Sequence, residues 1–199
     1  MTSKPNNTEP ASTIDINEPL VIRKNSPDSS GVVTLTLNRP KQFNALSVEI
    51  LSAMQTELDN IAQDNSIQVV VIAANGKAFC AGHNLKEMRA NTDAAFHRDL
   101  FQQCSQMMLT INSMPQVVIA KVQGLATAAG CQLVAACDLA VASDNAKFAT
   151  SGINVGLFCS TPAVAVSRNL SRKQAFEMLI TGEFIDAHTA LKQGLINRV

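Results

Sequence analysis

The sequence predicts an α/β fold built around a parallel sheet. Its 199 residues fit one domain, and a hydrophobic content of 46% is enough for a sizeable core. Continuous aliphatic runs of strand length occupy residues 69–73, 117–120 and 139–142. A long helical stretch separates the first two runs, and its apolar stripe comprises Phe96, Leu100, Cys104, Met107, Met108 and Ile111. A strand, a long crossover and another strand imply parallel pairing, with a right-handed crossover.

The strands and the first helix follow from local pattern. Because the three runs are continuous rather than alternating, we expect their strands to be buried on both faces. Two β-rich segments, 20–23 and 32–37, flank the turn-forming residues 25–31, which predicts a hairpin. Ser47 is a predicted helix N-cap, and the buried face of its helix comprises Leu51, Met54, Leu58 and Ile61.

Two further helices are predicted near the carboxyl end by their caps. Ser171 and Gln174 form a capping box for a helix that ends before Gly182. Asp186 caps another helix, which stops at Gly194. Residues 194–199 are strand-like.

Composition and charge restrict the organisation and the partners. Residues 1–17 are polar and predict a disordered leader, while residues 18–199 predict one domain without internal repeats. Sixteen acidic residues balance sixteen basic ones, so we expect no nucleic-acid partner and no attraction to an anionic membrane. No apolar run reaches the length of a membrane span, and the leader lacks a signal core or an Arg-rich character. A cytoplasmic protein is therefore expected.

The cysteines and histidines predict neither disulfides nor a metal site. Five cysteines occur without a secretory signal or a Cys-x-x-Cys pair, so reduced thiols are expected. The three histidines are far apart and share no metal-ligand spacing with another His or Cys. We expect no metal.

Two glycine-containing turns are the candidate chemical features. Residues 79–86 and 123–131 each place small residues between a buried strand and a helix. Such turns expose backbone N–H groups at helix starts, so two of them meeting in space can hold an oxyanion. The alternative is that small residues only permit close packing of helix and strand. Neither turn matches a dinucleotide-binding or P-loop motif.

Several short motifs in order resemble one enzyme superfamily. They are Asn38-Arg39-Pro40, Asn44-Ala45-Leu46, Ala78 to Leu85, Gln123-Gly124, Ala129-Gly130-Cys131, Cys137 to Ala140 and Phe148-Ala149. Together they resemble the enoyl-CoA hydratase/isomerase (crotonase) superfamily over residues 20–199. The stretch from Gly130 to Pro162, with Gly-Cys-Gln-Leu-Val-Ala, Phe-Ala-Thr and Gly-Leu-Phe-Cys-Ser-Thr-Pro, resembles one particular subfamily.

The resemblance implies an architecture and a ligand. It implies a crotonase-like spiral of ββα turns with parallel sheets, in trimers or dimers of trimers. It also implies a bent acyl-CoA thioester as substrate, with CoA as part of that substrate and no separate cofactor. Relatives continue for several dozen residues past the position of Val199, so the resemblance implies that a C-terminal helical region is truncated here.

The resemblance assigns catalytic positions residue by residue. The oxyanion donors fall on the backbone N–H groups of His83 and Ala129. The two glutamates that hydratases of the superfamily use as general acid and base fall on Gln132 and Gly152. A slot that holds Asp in some members falls on Ser160. Acid-base catalysis by the usual pair is therefore expected to be absent, since neither residue exchanges a proton near neutral pH.

The resemblance also implies the contacts to CoA. Lys41 and Lys86 are the implied phosphate partners, with solvated surface lysines as the alternative for each. The remaining implied contacts are Ala45, Leu46, His83, Asn84, Leu85 and Ala129.

These positions predict an enoyl-CoA hydratase/isomerase-like lyase of fatty-acid or acyl-CoA metabolism that stabilises a thioester enolate. Two alternatives remain open. A non-catalytic acyl-CoA-binding protein needs no glutamate pair, and an acyl-CoA decarboxylase needs only an oxyanion hole and a carboxylate site. The imidazole of His83 either forms part of the pocket wall or acts as a catalyst. A catalytic role is considered because the unperturbed pKa of histidine is about 6.5.

Overall fold

A computed structural model describes residues 18–28 and 30–199; the leader predicted for residues 1–17 lies outside them. The strands are β1 (Val21–Asn25), β2 (Val32–Leu37), β3 (Val69–Ala74), β4 (Ala78–Cys80), β5 (Val117–Val122), β6 (Leu125–Thr127), β7 (Leu139–Ala142), β8 (Lys147–Ala149) and β9 (Ile185–Asp186). The helices are α1 (Val48–Ala62), α2 (Leu85–Ala90), α3 (Ala94–Ser113), α4 (Ala129–Ala136), α5 (Ser160–Asn169), α6 (Arg172–Thr181) and α7 (Ala187–Gln193). Short 3-10 turns occupy Pro40–Gln42 and Ser151–Val155.

The larger sheet contains the strands that the sequence predicts. Its order is β1-β2-β3-β5-β7. β1 and β2 form the predicted antiparallel hairpin, and the other neighbours pair in parallel. The register places Val69 beside Val32 on one side and Val117 on the other. The prediction of an α/β fold with a parallel sheet is confirmed.

The smaller sheet was not predicted. Its order is β4-β6-β8-β9, with parallel pairing except between β8 and β9. Each of its strands has only two or three residues, which is too short to show a periodic pattern. β4 overlaps the start of the first glycine-containing segment, β6 lies inside the second, and each strand supports the turn that follows it.

The apolar stripes of the two long helices form the main core. Leu51, Met54, Leu58 and Ile61 of α1 are fully buried. On α3, Cys104 and Met107 are also buried, and α3 packs against α1. Both predicted stripes are confirmed. Deletion of any one of these large side chains is expected to cost about 2–5 kcal/mol of stability.

The prediction that the sheet strands are buried on both faces is wrong. Along β5 and β7, buried residues alternate with exposed ones, and Val117, Leu139 and Val141 are 40–43% exposed. Successive side chains of a strand point to opposite faces, and within residues 18–28 and 30–199 helices cover mainly one face. Aliphatic, largely β-branched residues favour a strand whether or not their face is covered. A continuous aliphatic run therefore indicates a strand but does not show that both of its faces are buried.

The predicted helix ends are confirmed where capping residues mark them. Ser47 accepts a hydrogen bond from the Ile50 N–H at 3.2 Å. Gly182 and Gly194 end α6 and α7 in the left-handed conformation. The strand predicted for residues 194–199 is wrong: only an isolated bridge joins Arg198 to Val141, because the segment lies beside the sheet edge for too few residues to form a ladder.

None of the helices in the part of the chain that the structure describes has the length and apolar character to cross a bilayer.

Candidate functional site

A cavity of about 270 Å³ opens where the two glycine-containing turns meet. We call it the donor cavity. Its wall is built by the turn between β4 and α2, the turn before α4, the 3-10 turn after β8 and the start of α5. Its lining residues are Ala81, His83, Leu85, Met88, Phe101, Ala128, Ala129, Ser151, Gly152, Val155, Leu157, Phe158, Cys159, Ser160, Thr161 and Pro162.

Two glycines allow the turns to touch. Gly82 has φ +89°, and a Cβ there would lie 2.9 Å from Ala128 Cβ and 3.3 Å from Ala129 N. A Cβ at Gly130 would collide with the carbonyl oxygen of Cys80. Only glycine permits this approach. The small residues therefore do permit close packing, as the alternative interpretation holds. This packing brings the N-terminus of α4 beside residue 83.

The backbone N–H groups of His83 and Ala129 have no hydrogen-bond acceptor among the residues that the structure describes. Ala129 is the first residue of α4, where helix geometry leaves N–H groups unpaired. Both residues line the donor cavity. Two free donors therefore share one cavity, and the dipole of α4 adds positive potential there.

The turn before α4 is strained. Ala128 has φ +52° and ψ −121°, a conformation that side chains with a Cβ rarely adopt. A strained backbone of this kind costs about 1–3 kcal/mol. The Ala128 carbonyl accepts a hydrogen bond from the Gln132 N–H at 3.0 Å, and this bond starts α4. The surrounding structure thus holds the turn in the geometry that presents the Ala129 N–H.

The His83 imidazole lies in the cavity wall as a neutral group. Its ring meets Phe101 edge to face, with centroids 5.0 Å apart. Its Nε2 atom is buried without a hydrogen-bond partner in the described part of the chain. Burial lowers the pKa of His83 to about 4, because charging the ring would bury a cation. The ring is therefore uncharged near neutral pH.

The slot at Gly152 has no room for a side chain. A Cβ there would lie 2.5 Å from the Leu157 carbonyl oxygen and 2.7 Å from Cys159 Sγ. Burial raises the pKa of the Cys159 thiol, so it is protonated near neutral pH. Ser160, in the third slot, lies on the cavity wall at the start of α5. The resulting wall carries thiol, hydroxyl and carbonyl groups and no carboxylate.

Gln132 lies one turn along α4 from Ala129, but its side chain lines a neighbouring cavity. We call this second space the Gln132 cavity, and Thr161 lines both cavities. Gln132 is 5% exposed, and its Oε1 has no hydrogen-bond partner among the described residues. Gln132 is therefore not one of the residues that line the donor cavity.

The implied CoA contacts divide into two groups. His83, Leu85 and Ala129 line the donor cavity. The others lie outside its wall, namely Lys41, Ala45, Leu46, Asn84 and Lys86.

Backbone bonds connect the second group to the site. The Leu46 N–H donates to the Gly82 carbonyl at 2.7 Å, and the Asn84 N–H donates to the Leu46 carbonyl at 3.0 Å. Asn84 also caps α2 through its side chain. Lys41 and Lys86 are exposed, which suits a phosphate contact and a surface lysine equally.

The apolar part of the wall was missed by sequence reasoning. Met88 and Phe101 come from α2 and α3, while Val155, Leu157 and Phe158 come from the segment before α5. The cluster of apolar residues at 153–158 was the available signal. Side chains from three distant segments form this wall, so no local pattern could assemble it.

The other thiols are inert structural groups. Burial raises the pKa of Cys80, Cys104 and Cys131 to about 12. Within residues 18–28 and 30–199, no three His, Cys, Asp or Glu side chains converge where a metal ion could bind.

The fold and the site define a class of protein: an α/β protein with two sheets and a cavity lined by His83 and Ala129, whose main-chain N–H groups have no acceptor among the described residues. Residues 28–199 match the family model described as enoyl-CoA hydratase/isomerase. The chain belongs to this family, and the crotonase-like fold implied by its motifs is confirmed.

Known relatives agree with the subfamily pattern seen from Gly130 to Pro162. A Xenopus laevis protein named enoyl-CoA hydratase domain-containing protein 3, mitochondrial, is 50% identical over 169 residues, covering 85% of this chain and 58% of its own length. The Escherichia coli 2,3-dehydroadipyl-CoA hydratase is 36% identical, covering 84% of this chain and 65% of its own.

A crystal structure of an enoyl-CoA hydratase from Mycobacterium smegmatis is 59% identical, with a TM-score of 0.89, and the match covers 92% of this chain and 70% of that one. The chain thus spans somewhat more than half the length of the Xenopus relative.

The expected cytoplasmic location is wrong. Curated relatives that are 46–50% identical carry the word mitochondrial in their names. The expectation rested on the composition of residues 1–17. Targeting signals are recognised by receptors and need no contact with the folded core, so the domain itself holds no information about location.

Proposed function

We propose that this chain is the acyl-CoA-binding part of an enzyme that stabilises a thioester enolate with two main-chain donors. The observation that carries the proposal is the pair of free N–H groups, from His83 and Ala129, on one cavity wall. Donors aimed at a carbonyl oxygen stabilise it as charge develops there, and removal of one donor typically costs about 10²–10³ in rate.

The apolar wall suits an acyl group next to that carbonyl. Met88, Phe101, Leu157 and Phe158 supply hydrophobic surface within reach of the donors. The CoA portion would extend out of the cavity along the β4–α2 turn, and Lys41 and Lys86 would contact its phosphates. Assembly into trimers or hexamers remains a proposal for the whole protein.

Hydration of a double bond is the doubtful step. Adding water needs general acid and base groups, and each typically contributes about 10²–10⁴ in rate. The Gly152 slot is filled by the Leu157 carbonyl and the Cys159 thiol, and Gln132 lines a neighbouring cavity rather than the donor cavity. We therefore propose that turnover as a hydratase is slow and that chemistry relies on enolate stabilisation.

A non-catalytic acyl-CoA-binding protein is the second candidate, and the lack of any carboxylate on the cavity wall favours it. A decarboxylase is less well supported, because its substrate carboxylate would have no cationic partner among the lining residues.

The test pairs isothermal titration of crotonyl-CoA with a hydration assay on the same preparation. The proposal predicts saturable binding with hydration slower by at least about 10² than in a two-glutamate relative. Hydration at the relative's rate would contradict it. Absence of binding would contradict both candidates, and binding without any α-carbon chemistry would favour the binding protein.

A further inference from the structure

Among the residues that the structure describes, no charged side chain lines the donor cavity. Its sixteen lining residues include no Asp, Glu, Lys or Arg. Besides the two main-chain donors, its polar side-chain groups are the imidazole of His83, one thiol and the hydroxyls of Ser151, Ser160 and Thr161. The Ser151 hydroxyl is already paired with Thr127 at 2.6 Å.

The one group that could become a cation does not do so near neutral pH. Burial lowers the pKa of His83 to about 4, and no carboxylate contacts its ring to reverse that effect. The nearby lysine Lys86 is exposed and lies outside the cavity wall. A negative charge placed in this cavity would therefore meet no cation from the described part of the chain.

We infer that the donor cavity selects uncharged acyl groups and rejects acyl groups that end in a carboxylate. The inference rests on the proposed function and names the substrate class of that same site. A carboxylate that loses its water without gaining a cation or enough hydrogen bonds is strongly disfavoured. The apolar wall gains from contact with a methyl end. The two effects act in the same direction.

The inference separates this chain from a member of its own family. The E. coli relative is named for an acyl group that bears a second carboxylate, 2,3-dehydroadipyl. Two members of one family would then differ in the charge of the acyl group that they accept. The side chains beyond the donors, such as Met88 and Phe101, would set that difference.

Three CoA thioesters matched in length test the inference. Pentanoyl-CoA, glutaryl-CoA and the monomethyl ester of glutaryl-CoA are titrated into the full chain by calorimetry at neutral pH. We expect the first and third to bind, and glutaryl-CoA to bind at least about tenfold more weakly than either. The ester controls for the size and polarity of the end group, so a deficit confined to glutaryl-CoA reports its charge.

A designed cation supplies the converse test. Met88→Lys places an ammonium group in the wall, and Met88→Gln is the matched uncharged variant, with folding checked by circular dichroism. Met88→Lys should raise the affinity for glutaryl-CoA, relative to that for pentanoyl-CoA, by about tenfold. Met88→Gln should not change this ratio.

The outcomes separate this inference from the proposed function. Equal binding of pentanoyl-CoA and glutaryl-CoA, within about threefold, would overturn the inference and leave the proposed function standing. If none of the three thioesters binds, the proposed function fails and the inference fails with it.

Discussion

Main-chain groups, rather than charged side chains, form the polar part of the donor cavity. The N–H groups of His83 and Ala129 are available whatever their side chains are. This explains how residue 83 can hold a histidine whose ring is neutral and packed on Phe101. A backbone donor needs a strained or glycine-dependent turn to present it, and both Ala128 and Gly82 meet that description.

The buried histidine should make stability depend on pH. The unfolded chain has a His83 of ordinary pKa, about 6.5, while in the folded chain the pKa is about 4. Between these values the unfolded state binds more protons, so stability falls as pH falls from 6.5 to 4. The loss between pH 7 and pH 5 is expected to be about 2 kcal/mol.

Urea denaturation of the wild type and His83→Gln at both pH values measures this effect. Glutamine keeps the backbone donor and does not titrate. Between pH 7 and pH 5 the free energy of unfolding of the variant should therefore fall by about 2 kcal/mol less than that of the wild type. Equal pH dependence in the two proteins would show that His83 is not buried as a neutral ring.

Relief of strain gives a second prediction at the residue scale. Glycine adopts the Ala128 conformation, φ +52°, without penalty. Ala128→Gly should therefore raise stability by about 1 kcal/mol, even after the extra entropy that glycine gives the unfolded chain. The matched control Ala53→Gly, inside α1, should lower stability by about 1 kcal/mol. Chemical denaturation measures both, and a loss in Ala128→Gly would contradict the strain.

At the scale of elements, the segment from Ser151 to the start of α5 decides what chemistry is possible. It folds back so that the Leu157 carbonyl and Cys159 occupy the space beside Gly152. A carboxylate cannot be restored at residue 152 without moving that backbone. If the carboxylate slot of the family falls on Gly152, as the resemblance implies, its loss is a feature of the whole segment rather than of one substituted residue.

Gly152→Glu tests this statement. The variant should lose about 1–3 kcal/mol of stability through overpacking, and it should not gain crotonyl-CoA hydration. Ala94→Glu is the control, because residue 94 is exposed in the first turn of α3, where a carboxylate is favoured, and it does not line the donor cavity. Thermal unfolding and the hydration assay are the measurements. A stable Gly152→Glu with raised hydration would show that the segment is free to move.

The elements that the sequence predicted are those with long patterns or marked ends. α1 and α3 show apolar stripes over many turns, and α6 and α7 are bounded by caps and left-handed glycines. β4, β6 and β8 have three residues each. Their formation depends on parallel partners far along the chain, so no local pattern could reveal them.

At the scale of the whole molecule, the family motifs located the two donors, but they did not describe the cavity around them. His83 and Ala129 are 46 positions apart and meet because β4 and β6 are neighbours in one sheet. The apolar wall and the direction of the Gln132 side chain depend on packing between α2, α3, α4 and α5. Order along the sequence does not encode that packing directly.

We propose that main-chain N–H groups polarise the thioester carbonyl of a bound acyl-CoA. The most direct measurement is isotope-edited infrared spectroscopy of butyryl-CoA labelled with carbon-13 at that carbonyl, bound to the full chain. Two hydrogen bonds should lower the carbonyl stretching frequency below its value in water. His83→Ala keeps the N–H and should leave the shift intact.

Ala129→Pro removes one donor at the first position of α4, where proline is tolerated in helices, and should reduce the shift if circular dichroism shows the fold retained. A bound carbonyl with the frequency it has in water, or a shift abolished by His83→Ala, would contradict the claim.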